Sequence, residues 1–277
     1  MGTAYIYLNG RIVPLDEAAV SPLDIGLLRG YAVFDLLRTV GGRPFLLAEH
    51  LERLRTSAAR LGLSVPADDD EIALAIDELL DRNGHTEATV RLVLTGGVST
   101  DGLAFDAATP TFLIMTHELH LPPESVYENG TALLTEEHRR ELPDAKTTNY
   151  LTMLQNRPRA REAGALDVLY HDGGTVLEAA SASFYIVRGS TILAPAGDVL
   201  WGTVGSYVLD AARERYEVVQ RDFTIDEAVA ADEAFLTSTT RGVVPIVRLD
   251  ARPVGDGTVG PVTRYLMGVW REAITAG

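Results

Sequence analysis

The stretch Asp144-Ala145-Lys146-Thr147-Thr148-Asn149-Tyr150-Leu151 contains the only lysine of the chain, Lys146. All other members of the 24 Lys+Arg residues are arginines, which bind phosphates and carboxylates but do not act as amine nucleophiles. A primary amine that can lose its proton can form a Schiff base with an aldehyde. Lys146 is therefore a candidate nucleophile. From composition alone, a surface lysine left by chance in an arginine-rich chain is an equal alternative.

Length, charge and cysteine content limit the possible classes of function. The 277 residues suffice for one large or two medium domains. A net charge of −15 argues against a nucleic acid or an anionic membrane surface as the main partner. Any anionic ligand must therefore be bound by arginines placed at its binding site. With no cysteine, the chain has no disulfide, no thiolate nucleophile and no cysteine metal site.

No signal for export or membrane insertion is visible in the sequence. Residues 1–20 lack a basic segment followed by an apolar run, and no apolar stretch approaches the roughly 20 residues of a membrane span. The sequence therefore predicts a soluble cytoplasmic protein without a membrane partner.

The residue pattern of the N-terminal part predicts an α+β fold with mostly antiparallel strands. Asn9-Gly10 lies between two short β-prone runs, which is the strongest short-range signal for a hairpin. Apolar residues three or four positions apart predict helices over 46–61 and 68–83, and Gly84 closes the second. The segment 26–40 is predicted to be a loop or short helix that runs into a strand, and Arg29 is predicted to lie in a loop.

Paired prolines mark the predicted domain boundary. Pro122-Pro123 suit an extended linker, so we predict an N-terminal domain over 1–121 and a C-terminal domain over 122–277. Just before this point, His117 and His120 suggest a metal site, but zinc sites need three or four ligands of defined spacing. No metal site is therefore predicted.

The C-terminal part places polar groups at the ends of predicted elements. A helix is predicted over 150–163, directly after Lys146, and a strand over 175–178 ends in the carboxylate of Glu178. The segment 200–206 opens a helix predicted to reach about Tyr216. A strand over 234–240 runs into a hydroxyl-rich turn.

These features together suit an aldehyde that carries a phosphate, which describes pyridoxal 5'-phosphate. The lysine would form the imine, and a carboxylate keeps the pyridine nitrogen protonated so that the ring acts as an electron sink. Backbone amides at a helix N-terminus hold phosphates. Each feature alone is common, because glycine-opened helices and Ser/Thr turns also occur as ordinary structural elements.

Five segments, ordered along almost the whole chain, carry a family signature. They are Glu49-His50-Leu51-Glu52-Arg53-Leu54, Lys146-Thr147-Thr148-Asn149-Tyr150-Leu151, Leu177-Glu178-Ala179-Ala180-Ser181, Leu200-Trp201-Gly202-Thr203, and Phe235-Leu236-Thr237-Ser238-Thr239-Thr240 with Pro245. With them the chain resembles the fold type IV pyridoxal-phosphate enzymes, which include D-amino acid and branched-chain aminotransferases. The resemblance implies a two-domain α+β / α/β fold and a homodimer. In such dimers the site lies between the domains and is completed by the N-terminal domain of the other subunit.

The resemblance also implies a role for individual residues. Lys146 would be the Schiff-base lysine and proton shuttle, and Glu178 the partner of the pyridine nitrogen. The other implied cofactor-binding residues are Arg53, Thr203, Val204 and Thr239 at the phosphate, Tyr150 at the ring hydroxyl, and Leu200 against the ring. The implied substrate-binding residues are Arg29, Phe34 and Thr240.

The segment after the strand that ends at Thr95 bears on substrate choice. Well-known bacterial D-amino acid aminotransferases have an arginine and a histidine there that bind the α-carboxylate, but this chain has Gly96 and Val98. Leu28-Arg29-Gly30-Tyr31 is similar to a less common group of D-amino acid transaminases, in which a loop arginine of the neighbouring subunit has that role. Arg29 is therefore the expected carboxylate ligand.

The expected activity is transfer of an amino group from a D-amino acid to a 2-oxo acid such as 2-oxoglutarate or pyruvate, with (R)-amines as further candidate donors. Two alternatives have the same fold: a branched-chain L-amino acid aminotransferase, and a lyase such as aminodeoxychorismate lyase, which would release pyruvate. A binding protein without chemistry is a third alternative, which the single lysine disfavours.

Overall fold

The computed structural model describes residues 4–276, which form two compact units. The first unit extends to His120 and includes Ala145–Asn149, and the second comprises Leu121–Asp144 and Tyr150–Ala276. Lys146, which the sequence places in the C-terminal domain, thus belongs to the first unit by its contacts. Within residues 4–276 no helix is both long and apolar enough to span a bilayer.

The first unit is a six-stranded sheet with three helices. Its strands are β1 (Tyr5–Leu8), β2 (Arg11–Pro14), β3 (Ala32–Val40), β4 (Arg43–Pro44), β5 (Ala88–Thr95) and β6 (Thr111–Glu118), and its helices are α1 (Ile25–Arg29), α2 (Leu47–Arg60) and α3 (Asp69–Asn83). The strands follow the order β2-β1-β6-β5-β3-β4, and every pairing is antiparallel. The antiparallel α+β fold predicted for this part is confirmed.

Local sequence signals account for several boundaries in this unit. Asn9 and Gly10 form the β1–β2 turn with positive φ angles of 48° and 85°, which asparagine and glycine tolerate. Helix α3 begins where the Asp68 side chain accepts a bond from the Glu71 amide at 2.8 Å. It ends at Gly84, whose φ of 67° lies in the left-handed region.

The second unit contains a nine-stranded mixed sheet and five helices. Its strands are β7 (Thr131–Glu137), β8 (Ala165–Asp172), β9 (Thr175–Ala179), β10 (Ser183–Arg188), β11 (Thr191–Ala194), β12 (Glu217–Gln220), β13 (Glu233–Ser238), β14 (Gly242–Leu249) and β15 (Arg252–Pro253), and its helices are α4 (Glu124–Asn129), α5 (Leu151–Glu162), α6 (Thr203–Ala212), α7 (Ile225–Val229) and α8 (Pro261–Ala276). The strand order is β12-β11-β10-β13-β14-β7-β8-β9, with β15 beside β14. Pairings β11–β12, β14–β7 and β7–β8 are parallel. Buried apolar side chains such as Leu169, Phe184, Leu236 and Ile246 form the core.

One prediction for this unit needs correction. Helix α6 ends at Ala212 and does not reach Tyr216. The polar run after Ala212 has no apolar face to bury, and the chain turns so that the Glu217 amide bonds to the Ser190 carbonyl at the start of β12. Helix α4 begins at Glu124, directly after the paired prolines of the predicted boundary.

Candidate active site

Lys146 lies on a segment that runs beside strand β3. Thr147 forms an isolated antiparallel bridge with Val33, and the Phe34 amide donates to the Lys146 carbonyl oxygen at 2.9 Å. The Lys146 amide donates to Ser57 Oγ at 3.0 Å, so both backbone groups of the lysine are fixed. Its Nζ lies 4.8 Å from the centroid of the Phe34 ring, within cation–π range. The structure thus brings the predicted nucleophile and the predicted substrate-binding Phe34 together.

Arg53, the predicted phosphate ligand, is held by a buried carboxylate on β3. Its Nε donates to Asp35 Oδ2 and its Nη2 to Asp35 Oδ1, both at 2.8 Å. His50 Nδ1 lies 2.7 Å from the same Oδ1. Because Asp35 is fully buried, this two-bond pairing fixes the plane of the guanidinium. Asp35 is a site residue that the sequence did not single out, although a charged residue in an otherwise apolar run is a usable signal.

Burial and ion pairing determine the protonation states of the residues in this cluster. Desolvation alone would raise the pKa of Asp35, but Arg53 and His50 outweigh it and hold the pKa far below its usual range. Burial lowers the pKa of His50, and the positive charges of Arg53 and Lys146 add to this effect against the opposing Asp35. The cluster therefore contains an ionised Asp35 and a neutral His50 at pH 7.

Arg29 is the last residue of helix α1, so the predicted loop is wrong at this position. The helix forms because the buried Asp24 accepts a bond from the Gly26 amide at 2.7 Å. The other oxygen of Asp24 accepts from Thr95 Oγ1 at 2.8 Å and Thr111 Oγ1 at 2.6 Å. Arg29 itself is exposed, and its Nη1 donates to the neighbouring carbonyl of Leu28 at 2.9 Å.

The position of the missing carboxylate-binding arginine is closed in this fold. A Cβ at Gly96 would lie 2.7 Å from the Ile25 side chain and 3.2 Å from the Tyr31 ring. A longer side chain at Gly96 would have to displace Ile25, which is buried. The packing of α1 on the end of β5 therefore leaves no room for an arginine at position 96.

Glu178, at the end of β9, forms an ion pair with Arg140. Arg140 Nε donates to Glu178 Oε1 at 2.8 Å, and Arg140 Nη2 donates to the same oxygen. The other oxygen, Oε2, accepts a longer bond of 3.3 Å from the Leu200 amide. Leu200 is the residue predicted to pack against the ring, so Oε2 lies on that side of the carboxylate. Arg140 was not singled out from the sequence, because nothing local marks a partner 38 positions away.

The start of helix α6 packs tightly on strand β10. A Cβ at Gly205 would lie 2.1 Å from Tyr185 Oη, and a Cβ at Gly202 would lie 2.7 Å from Ser183 Oγ. A side chain at Gly205 would clash with the buried Tyr185, and one at Gly202 would require Ser183 to move. Gly202 occupies the N-cap and supplies no capping side chain. The amides that follow, at Thr203 and Val204, are of the kind that bind phosphates at helix N-termini.

Arg241 organises the turn that carries Thr239-Thr240. Its Nε donates to Ser238 Oγ at 3.0 Å and its Nη2 to Ser181 Oγ at 2.8 Å. Asp167 Oδ2 accepts from the same Ser181 hydroxyl at 2.5 Å and lies 3.7 Å from Arg241 Nη1. The arginine thus joins the end of β13 to the segment after Glu178. The family resemblance would place an acid at this position.

The predicted site residues are divided between the two units. The first unit carries Arg29, Phe34, Arg53 and Lys146, and the second carries Tyr150, Glu178, Leu200, Thr203, Val204, Thr239 and Thr240. Tyr150 is half-buried at the N-cap of α5. Residues 4–276 contain no group of three or more side chains that could hold a metal ion.

Comparison with known proteins identifies the family. The sequence profile of the family described as Amino-transferase class IV matches residues 32–249. A Methanocaldococcus jannaschii protein provisionally named a branched-chain-amino-acid aminotransferase is 32% identical over 280 residues, covering 98% of this chain and 96% of the relative. A D-alanine aminotransferase from Staphylococcus aureus is 30% identical over 267 residues, covering 94% of each chain. The chain belongs to the class IV aminotransferases.

Solved structures agree with this family and with its fold. A branched-chain amino acid aminotransferase from the organism abbreviated T.th., solved with pyridoxamine 5'-phosphate, matches with a TM-score of 0.88 and 30% identity, covering 100% of this chain and 95% of that chain. The predicted fold type IV architecture is therefore confirmed. Class IV aminotransferases use pyridoxal 5'-phosphate.

The residues of this chain fit that cofactor by their chemistry. The family needs an amine for the aldehyde, a carboxylate for the ring nitrogen and donors for the phosphate. The chain offers one amine on a fixed backbone, an ionic carboxylate beside Leu200, and a helix start at Gly202 that a side chain would obstruct.

Proposed function

We propose that this protein is a cytoplasmic pyridoxal-phosphate-dependent transaminase that moves the amino group of D-amino acids to a 2-oxo acid such as 2-oxoglutarate or pyruvate. The observation that carries the proposal is Lys146, the single lysine of the chain, held by backbone bonds beside Phe34. The proposal keeps the domain boundary predicted near Pro122.

Each proposed cofactor ligand has a defined task. When bound, the cofactor supplies an electron sink for the charge left when the donor loses its α-proton. Lys146 Nζ would attach the cofactor and carry that proton, and Glu178 Oε2 would face the ring nitrogen. The remaining proposed contacts are Arg53, Thr203, Val204 and Thr239 to the phosphate, Tyr150 to the ring hydroxyl and Leu200 to the ring face.

The proposed selectivity for D-amino acids depends on which residue binds the carboxylate of the amino donor. A carboxylate that enters a partly desolvated site needs a cationic partner. Gly96 cannot provide it, and Ile25 closes that position. Arg29 is exposed and has no carboxylate partner within residues 4–276, so we assign it this role, with Phe34 and Thr240 completing the substrate pocket. The similarity to D-alanine aminotransferases supports the D-selective proposal, and the similarity to branched-chain enzymes supports the alternative.

The proposal includes a homodimer in which Arg29 of one subunit serves the site of the other. Leu27, two positions before Arg29, is 70% exposed. Leu103 is 71% exposed and follows Gly102, at which a built Cβ would lie 3.4 Å from Arg29 Nη2. Apolar side chains grouped at this level of exposure mark interaction surfaces. A molecular mass of one chain in solution, measured by light scattering, would contradict this part of the proposal.

The test compares donors and removes Arg29. The wild-type protein should convert D-alanine with 2-oxoglutarate faster than L-leucine. Arg29→Ala should lower kcat/KM for D-alanine by about 30-fold or more, because losing a charge-paired bond costs about 2–5 kcal/mol. The variant should spare (R)-1-phenylethylamine, which has no carboxylate. Arg11→Ala, which removes another exposed arginine of the same unit, should change neither donor.

Three results would decide against the proposal. A wild-type preference for L-leucine means a branched-chain aminotransferase. Release of pyruvate from aminodeoxychorismate without amino transfer means a lyase. Equal losses for both donors in Arg29→Ala mean that Arg29 supports the fold or the subunit interface.

A further inference from the structure

The ion pair of Arg140 with Glu178 is largely shielded from solvent. The Arg140 side chain is 17% exposed and that of Glu178 is 11% exposed. Arg140 Nε and Nη2 both donate to Glu178 Oε1, while Glu178 Oε2 accepts from the Leu200 amide at 3.3 Å. A guanidinium at this distance in a partly desolvated place strongly favours the ionised carboxylate. The pair therefore fixes both the charge of Glu178 and the direction of its second oxygen.

Arg140 also holds the chain that leads to Lys146. Its Nη2 donates to the Pro143 carbonyl oxygen at 2.7 Å. Pro143 stands three positions before Lys146 in the sequence. One guanidinium thus bonds both to the carboxylate predicted to face the ring nitrogen and to the Pro143 carbonyl oxygen.

A proton between a pyridine nitrogen and a carboxylate can reside on either atom. A carboxylate that is buried without a cation takes the proton readily, because burial penalises its charge. A carboxylate paired with a guanidinium is a weaker base and leaves the proton on the nitrogen. The protonated ring is the stronger electron sink.

We propose that Arg140 is a positioning residue that keeps Glu178 ionised and directs Oε2 toward the cofactor ring, so that the shared proton stays on the ring nitrogen. The proposal rests on the function proposed above, in which Glu178 faces that nitrogen. In this proposal Arg140 acts on the ring nitrogen through Glu178 and not by direct contact with the ring.

The test measures the protonation state of the ring nitrogen directly, by nuclear magnetic resonance. The protein and its variants are loaded with pyridoxal 5'-phosphate that carries ¹⁵N in the ring, and the nitrogen resonance is compared with those of the protonated and neutral pyridine. Wild type and Arg140→Lys, which keeps the positive charge, should show the protonated resonance. Arg140→Met should shift to the neutral resonance, as should Glu178→Gln. Arg139→Met, next in sequence, removes a surface arginine that bonds to Asp198 at 2.9 Å and should match wild type.

The double variant separates action through Glu178 from general damage. If Arg140 acts only through Glu178, Arg140→Met adds no further shift in the Glu178→Gln background. If Arg140→Met alone does not fold, Arg140→Lys stays informative, because it keeps a cation beside Glu178. A neutral resonance in Arg140→Lys, or an added shift in the double variant, overturns the proposal.

The failures of the two proposals are distinguishable. If Glu178→Gln gives the wild-type resonance, Glu178 does not face the ring nitrogen, and both the assignment above and this inference are wrong. If Glu178→Gln shifts the resonance while Arg140→Met does not, only the role of Arg140 is wrong.

Discussion

Replacing Asp35 with asparagine should destabilise the protein severely. Asp35 is fully buried and accepts bonds from Arg53 at 2.8 Å twice and from His50 at 2.7 Å. Asparagine keeps one acceptor oxygen but turns an NH2 group toward a guanidinium that also only donates. Breaking a buried ion pair by removing one partner costs about 3–5 kcal/mol. We expect a loss of this size in the free energy of unfolding at pH 7.

The pH dependence gives a second, independent signature of Asp35. The pKa of Asp35 is lowered on folding, so its stabilisation is complete above the unfolded pKa of about 4 and is lost as the pH falls toward the folded pKa. At pH 3 the carboxylate of Asp35 is still ionised in the folded protein but mostly protonated in the unfolded chain. The difference in free energy of unfolding between wild type and Asp35→Asn should therefore decrease by about 1 kcal/mol between pH 7 and pH 3.

Urea unfolding of the cofactor-free protein measures both effects without a contribution from ligand binding. Asp210→Asn is the matched control, because Asp210 pairs with Arg213 on the surface with a side chain that is 70% exposed. Such exposed pairs contribute about 0–1 kcal/mol. If Asp35→Asn loses no more stability than the control, the buried pair does not hold the first unit together, and the reasoning about Arg53 is wrong.

Two further predictions concern the chemistry. Lys146→Ala should bind no cofactor that borohydride reduction can fix to the chain, and should lose transaminase turnover, because no other side-chain amine can replace it; a retained adduct, seen by mass spectrometry, would refute the role of Lys146. Glu178→Gln should keep the cofactor but slow the half-reaction strongly, because an amide does not stabilise the pyridinium charge. A single-turnover rate with D-alanine equal to that of wild type would show that Glu178 is not the nitrogen partner.

The sequence predicted those features whose signals are local. The Asn9-Gly10 turn and the ends of helix α3 at Asp68 and Gly84 follow from backbone preferences of single residues. Glu178 lies at a strand end as predicted. Helix α5 follows Lys146, also as predicted.

Features that depend on distant partners were not predictable from the residues alone. Arg53 meets Asp35 across 18 positions, and Arg140 meets Glu178 across 38. Nothing local identifies the partner in such pairs: the apolar run around Asp35 signals a buried charge, but not the residue that pairs with it. The attachment of Lys146 to β3 is of the same kind, since it depends on backbone bonds to Phe34 that only the folded chain makes.

The pairing of charges separates the proposed cofactor ligands Arg53 and Glu178 from the proposed substrate ligand Arg29. Arg53 is held by Asp35 and Glu178 by Arg140, so their positions and charges are set before any cofactor arrives. Such preorganisation avoids reorganisation when charge develops during the reaction, and it suits groups that hold a permanently bound cofactor. Arg29 differs, because it is exposed and its guanidinium donates to a neighbouring carbonyl. A donor carboxylate binds and dissociates in every catalytic cycle. The arginine that binds it must therefore exchange hydrogen-bond partners with little loss of free energy. An arginine bonded to a carbonyl can do this, whereas an arginine locked to a buried carboxylate cannot.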